Sequence, residues 1–167
     1  MNRGEILSDH QLPARSQIVQ QCLAEAGLTA SVRELPDSAR TAAEAAAALN
    51  CAVGAIASSL VFLADDEPLL VMTSGRHRVD TGLLAVHTGA AKIEMATARQ
   101  VRAITGQAIG GVAPVGHPEA VRTVIDKALR DYDTIWAAGG TPHTVLPLTF
   151  DDLVALTHGS VCEVAQD

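Results

Sequence analysis

The segment Gly110-Gly111-Val112-Ala113-Pro114-Val115-Gly116-His117 places three glycines and a proline within eight residues. Glycine lets a backbone approach a ligand closely and present its N–H groups, and proline holds such a loop in shape. A fixed array of donors of this kind can bind a carbonyl oxygen or a developing oxyanion. The same composition also suits a tight connection with no chemical role, and composition alone does not separate the two. The segment is neither a dinucleotide fingerprint nor a phosphate loop, because G-x-G-x-x-G and G-K-[ST] are both absent. A second segment, Trp136-Ala137-Ala138-Gly139-Gly140-Thr141-Pro142-His143, sets a histidine behind a rigid turn. There it could orient a substrate or transfer a proton, or serve the fold alone.

Other routes to catalysis find little support. His10, His77, His87, His117 and His158 form no H-x-x-x-H or similar pair, so no metal and no cofactor is expected. Ser58-Ser59 lies in an apolar stretch without the G-x-S-x-G elbow of a serine hydrolase. Cys22, Cys51 and Cys162 are odd in number and far apart, with no C-x-x-C spacing. Disulfide or zinc use is therefore not expected, and a reducing cytoplasm is the simpler setting. A hydrolase made from these parts would depend on positioning and on the substrate's own groups.

The elements that must hold these segments can be read from periodicity and punctuation. Ala14 to Ala26 reads as an amphipathic helix with Ile18, Val19, Cys22 and Leu23 on its apolar face, stopped by Gly27. Val32 to Leu35 is a short strand candidate. Thr41-Ala42-Ala43-Glu44 and Thr97-Ala98-Arg99-Gln100 are capping-box patterns, opening helices that reach about Leu49 and Gly106. Ile56 to Leu63 and Leu69 to Thr73 read as paired strands around an Asp65-to-Pro68 hairpin turn. A helix is expected over Thr81 to Val86, strands over Val121 to Ile125, Thr134 to Ala138 and Thr144 to Leu148, and a short helix or turn over Lys127 to Tyr132. Thr149 can cap a helix over Asp151 to Thr157, and Val161 to Val164 closes the chain as a strand. Hairpins and helical crossovers both occur, so the expected fold is one α/β domain with a mixed β-sheet surrounded by helices.

Composition is consistent with that reading. A chain of 167 residues can bury a sizeable core, and with only Phe62, Phe150, Trp136 and Tyr132 as aromatics that core must be aliphatic. The Met1-to-Glu5 start does not open a signal peptide, and no apolar run approaches the roughly 18 residues of a membrane span. A net charge of −7 with twelve Lys and Arg argues against broad nucleic-acid binding and against DNA. Several cations cluster, Arg76, Arg78, Lys92, Arg99 and Arg102 with His77, so any RNA contact should be local, at one end of the RNA.

One ordered set of motifs adds to this. Thr41-Ala42-Ala43-Glu44-Ala45-Ala46, Leu60-Val61-Phe62, Ser74-Gly75 with Arg78-Val79-Asp80, Thr105-Gly106, Gly110 to His117, and Ala138 to His143 occur in sequence. Together they resemble the YbaK/EbsC family, free-standing relatives of the editing domain of bacterial prolyl-tRNA synthetase, over about Leu35 to Leu156. The resemblance implies hydrolysis of the ester joining a wrong amino acid, commonly alanine, cysteine, serine or threonine, to the terminal adenosine of tRNA. The stretch Gly110 to Pro114, which includes Gly111, matches the family's G-x-x-x-P loop, so Gly110, Gly111 and Pro114 are implied to hold the substrate carbonyl and shape the pocket. His143 matches a histidine that positions the aminoacyl group. Ser59, Gly116, His117, Gly140 and Thr141 are implied to border the substrate. Catalysis in such domains is largely substrate-assisted, a ribose hydroxyl helping to deliver water. The mischarged acceptor end of tRNA is the implied partner, with a synthetase or elongation factor as a further candidate. One departure stands out: Ser58 occupies the position where the family usually has lysine. Arg76 or Arg78 could replace that cation, the substrate could differ, hydrolysis could be lost so that only binding remains, or Ser58 could have no role.

Overall fold

The computed structural model describes residues 12–36 and 39–165; the Met1-to-Glu5 start and His10 lie outside them. Local signals fix several element ends. Thr41 accepts the Glu44 N–H at 3.1 Å while Glu44 accepts the Thr41 N–H at 3.0 Å, and this reciprocal cap starts α2 (Ala42–Leu49). The same box at Thr97 and Gln100 starts α4 (Ala98–Thr105), which Gly106 ends at φ 75°. Asp80 caps α3 (Thr81–Thr88), two residues longer than expected and stopped by Gly89 at φ 77°. Thr149 caps α5 (Phe150–Thr157) by accepting the Asp152 N–H. Helix α1 (Ala14–Glu25) buries Ser16, Val19 and Leu23. Ile18 is 47% exposed, so the buried stripe runs through Ser16 instead of through Ile18.

Among the described residues eight strands form one mixed sheet in the order β1-β7-β6-β2-β3-β5-β8, with β4 paired to β2 off this path. They are β1 (Arg33–Glu34), β2 (Ile56–Ala64), β3 (Glu67–Ser74), β4 (Ile93–Met95), β5 (Arg122–Asp126), β6 (Ile135–Ala138), β7 (Thr144–Leu148) and β8 (Ser160–Cys162). The β2–β3 turn is tighter than expected. Glu67 and Pro68 already pair with Ala64 and Leu63, leaving only Asp65 and Asp66 as the loop, at φ 50° and 70°. Short polar side chains tolerate this left-handed pair, which matches the twist of a two-residue hairpin. The Asp65 carboxylate then accepts the Ala91 and Lys92 N–H groups, the latter at 2.8 Å, and so holds the approach to β4.

The two faces of the sheet carry different helices. Val19 and Leu23 of α1, Val101 of α4 and Leu153 of α5 pack with Val61, Leu70 and Met72 in the main core. On the opposite face Ala45 and Ala46 of α2 cover Ile56, and Leu84 of α3 packs with Phe62 and Val71. Each fully buried Leu or Val side chain contributes roughly 1.5–3 kcal/mol. Alternation along β2 therefore assigns Ala57, Ser59 and Val61 to the main-core face and Ile56, Ser58 and Leu60 to the α2 face.

Candidate functional site

Strand β2 changes partner along one edge. Its start pairs in parallel with β6 at Ile56–Trp136 and Ala57–Ala137, and its end pairs antiparallel with β4 from Phe62–Met95 onward. Between them, among the described residues, no strand pairs with Ser58 to Leu60 on that side, and the sheet opens. The Val61 carbonyl accepts the Ala96 N–H at 3.0 Å on this edge. Backbone groups two residues apart on a strand point the same way, so the Ser59 N–H and C=O face the opening.

A cleft of about 390 Å³ lies here, within the range of small-molecule sites. Val61, Ala96, Val101, Ile109 and Val112 give it an apolar wall. Ser58, Ser59 and Gly110 line it together with Ala138, Pro142 and Thr144. Trp136 lines it as well, with the Arg33 guanidinium 5.2 Å from the indole centroid. The Ser59 hydroxyl is turned toward β3, 3.1 Å from Met72 Sδ.

The two glycine-rich segments meet at this cleft. Gly111 is buried, and a Cβ there would come within 2.6 Å of Thr141 Cα and Pro142 N. Only glycine permits that approach. Gly110 adopts φ +83° with open space where a side chain would stand. The Gly111 N–H is spent on the Ala108 carbonyl at 2.9 Å, so it shapes the loop. Behind it, buried Gln107 accepts the Ala113 N–H at 2.8 Å and donates to the Val115 carbonyl at 3.2 Å. Gln107 thus stands in for a missing strand, tying both limbs of the loop. Pro114 is buried within the loop, a Cβ on Gly116 would stand 3.2 Å from Gln107 Nε2 and 3.3 Å from Val19 Cγ2, and His117 donates from Nε2 to the Ala113 carbonyl at 2.8 Å. Burial holds the His117 imidazolium pKa below its ordinary value, with the Ala113 carbonyl opposing that shift.

The other loop hangs on Thr144. Its hydroxyl lies 3.1 Å from Ser16 Oγ of α1 and 2.9 Å from Thr141 Oγ1, and its carbonyl accepts the Gly139 N–H at 2.8 Å. Gly140, at φ +109°, packs against the Arg15 carbonyl. His143 is exposed and outside the cleft lining; its carbonyl accepts the Leu35 N–H at 2.7 Å, joining β1 to β7. Nothing in the sequence marks Ser16, Gln107 and Thr144, because a serine, a glutamine and a threonine carry no local signal of the groups they meet.

Arg76 and Arg78 do not line the cleft. Arg76 donates to Tyr132 Oη at 3.0 Å and Asp131 Oδ2 at 3.3 Å, and Arg78 is exposed. Their loop is anchored by buried Asp126, which accepts the Ser74 N–H at 2.9 Å and lies 2.8 Å from His77 Nδ1. The three cysteines are free, and burial raises each thiol pKa, which keeps them protonated and weakly nucleophilic at neutral pH. Among the described residues no group of three or more His, Cys, Asp or Glu could hold a metal ion.

The fold and cleft define an α/β domain with a cleft lined mostly by apolar and small polar side chains, together with Trp136 and Arg40, and among the described residues no His, Cys, Asp or Glu lines it. Residues 36–156 match the model of the aminoacyl-tRNA editing domain, and the chain belongs to that family. A solved structure of a protein proposed as a trans-editing enzyme for prolyl tRNA synthetase is 39% identical, covers 94% of this chain and 100% of its own, and superposes with a TM-score of 0.90. Proline–tRNA ligase of Streptococcus equi subsp. equi is 33% identical over 92 residues, 55% of this chain. The enzyme of Streptococcus suis is 27% identical over 127 residues, 76% of this chain. The chain spans only 15% and 19% of the length of these two ligases. The expected family and mixed α/β fold are therefore correct.

Proposed function

We propose that the protein is a trans-acting aminoacyl-tRNA deacylase, hydrolysing the ester that joins a wrong amino acid to the terminal adenosine of tRNA. The observation that supports this most is the cleft itself: the opened edge of β2 and both glycine-rich loops converge on it within the editing-domain family region. Its apolar wall suits a small side chain, and the Ser59 N–H faces inward as a donor for the ester carbonyl. Such a donor stabilises charge developing on that oxygen. Among the described residues no His, Cys, Asp or Glu lines the cleft; the attacking water is activated by a ribose hydroxyl of the substrate, and the protein contributes positioning. The acidic chain makes a synthetase or elongation factor the natural source of further tRNA affinity. Charged tRNA is a substrate of the cytoplasm, and the protein works there; no described helix is long and apolar enough to cross a membrane.

Deacylation of Ala-, Cys-, Ser- and Thr-charged tRNAs tests this, with wild type beside Ser58→Lys. Turnover of at least one by the wild type above spontaneous hydrolysis is expected. Turnover by Ser58→Lys alone would replace the proposal with a non-catalytic binding module, because Ser58 lines the cleft where the family cation is missing.

A further inference from the structure

Arg40 is the one ionisable residue that lines the cleft among the described residues. It is exposed at the rim, and the cap of α2 fixes its place. The Arg40 N–H donates to Glu44 Oε1 at 3.0 Å. That bond, followed by the one from the Thr41 N–H, holds the Glu44 carboxyl below its ordinary pKa. Glu44 therefore stays ionised and keeps Arg40 in register with the helix. Helix α2 lies over Ile56, on the face of β2 that also carries Ser58. The capped helix thus brings a cation to the side of the strand where Ser58 supplies none.

The substrate chemistry says what that cation can meet. Once esterified, an amino acid has lost its carboxylate, and its α-amino group is cationic. The only anions at the end of a charged tRNA are phosphates, and the nearest joins the terminal adenosine to the nucleotide before it. A guanidinium fork matches phosphate oxygens in geometry and charge. We infer that Arg40 binds the phosphate 5′ to the terminal adenosine, taking over from the cleft rim the charge that Ser58 does not provide. This inference rests on the aminoacyl-tRNA reading of the cleft. Arg40 makes interactions of its own within the protein, but a guanidinium has five N–H donors and can hold two acceptors. The other nearby cations are placed less well: Arg76 is bound to Asp131, and Arg33 is stacked on Trp136 outside the cleft lining.

The test measures binding of 3′-aminoacylamino-3′-deoxyadenosines, in which an amide replaces the ester, with and without a 5′-phosphate. The probes carry Ala, Cys, Ser or Thr. Wild type should prefer the phosphorylated form of its best probe by about tenfold or more, as a charge-assisted contact implies. Arg40→Gln should bring that ratio to about one, Arg40→Lys should keep part of it, and Arg40→Gln with Ser58→Lys should restore it. On charged tRNA, Arg40→Gln should raise KM more than it lowers kcat, because the phosphate does not react. A preference retained in Arg40→Gln would overturn the assignment. So would wild-type deacylation of tRNA without any phosphate preference, which would leave the deacylase reading standing. Binding of none of the eight probes, with no deacylation, would remove that reading and the assignment with it.

Discussion

Burial of the His117 ring sets a pH dependence that can be traced to one side chain. Its folded pKa is depressed by desolvation, so near pH 6 the unfolded chain takes up a proton that the folded chain resists. The contribution is constant above the unfolded value of about 6.5 and is lost as pH falls through and below it. Thermal stability should therefore drop between pH 7 and pH 5, and His117→Gln should flatten part of that slope while its amide still donates to the Ala113 carbonyl. An unchanged slope would mean that other groups carry the acid sensitivity. His117 was legible in sequence as a residue of the glycine-rich loop, but its task was not. The ring's 2.8 Å bond runs to the backbone of its own loop, a role that depends on how the loop folds back. Arg40 was hidden for the opposite reason: nothing at the foot of a capping box shows that the helix will lie beside a cleft.

Elements with local rules were the readable ones. Both capping boxes, Gly106 as a stop and the Thr149 cap could be placed because each depends on residues three or four apart. Strand β4 carries no local signal, since its three residues become a strand only through Phe62, Leu63 and Ala64 of β2. The hairpin turn is two residues shorter than the sequence suggests, because Pro68 signals a turn, whereas its pairing with Leu63 puts it in a strand. The contact between the two glycine-rich loops is likewise long-range, although each loop announced itself by composition. That contact is the place to break the site without touching its wall. Gly111→Ala inserts a methyl group against the Thr141–Pro142 backbone, which cannot yield as a side-chain end can. Overpacking of this kind typically costs about 1–3 kcal/mol. Urea unfolding should show that loss, and deacylation should fall at temperatures where the variant remains folded. Wild-type stability would mean that the loops do not need this contact.

At the scale of the whole molecule, the eight strands of the described residues are held as one sheet although the fourth in the order has two different partners on the same edge. The helices divide accordingly: α1, α4 and α5 hold the main core, while α2 and α3 cover the two ends of β2 on the other face. A strand interrupted in this way has uneven protection along a single stretch of core. The amides of Ser58 and Leu60 point toward β3 and should exchange with deuterium slowly. The Ser59 amide faces the opening and should exchange much faster, although its neighbours belong to the most protected part of the sheet. A bound aminoacyl-adenosine amide should slow Ser59 selectively. A Ser59 amide already as slow as its neighbours in the free protein would place its N–H elsewhere. The gap in β2 thus gives the protein an intrinsic reporter: one backbone proton whose lifetime records whether the cleft is occupied.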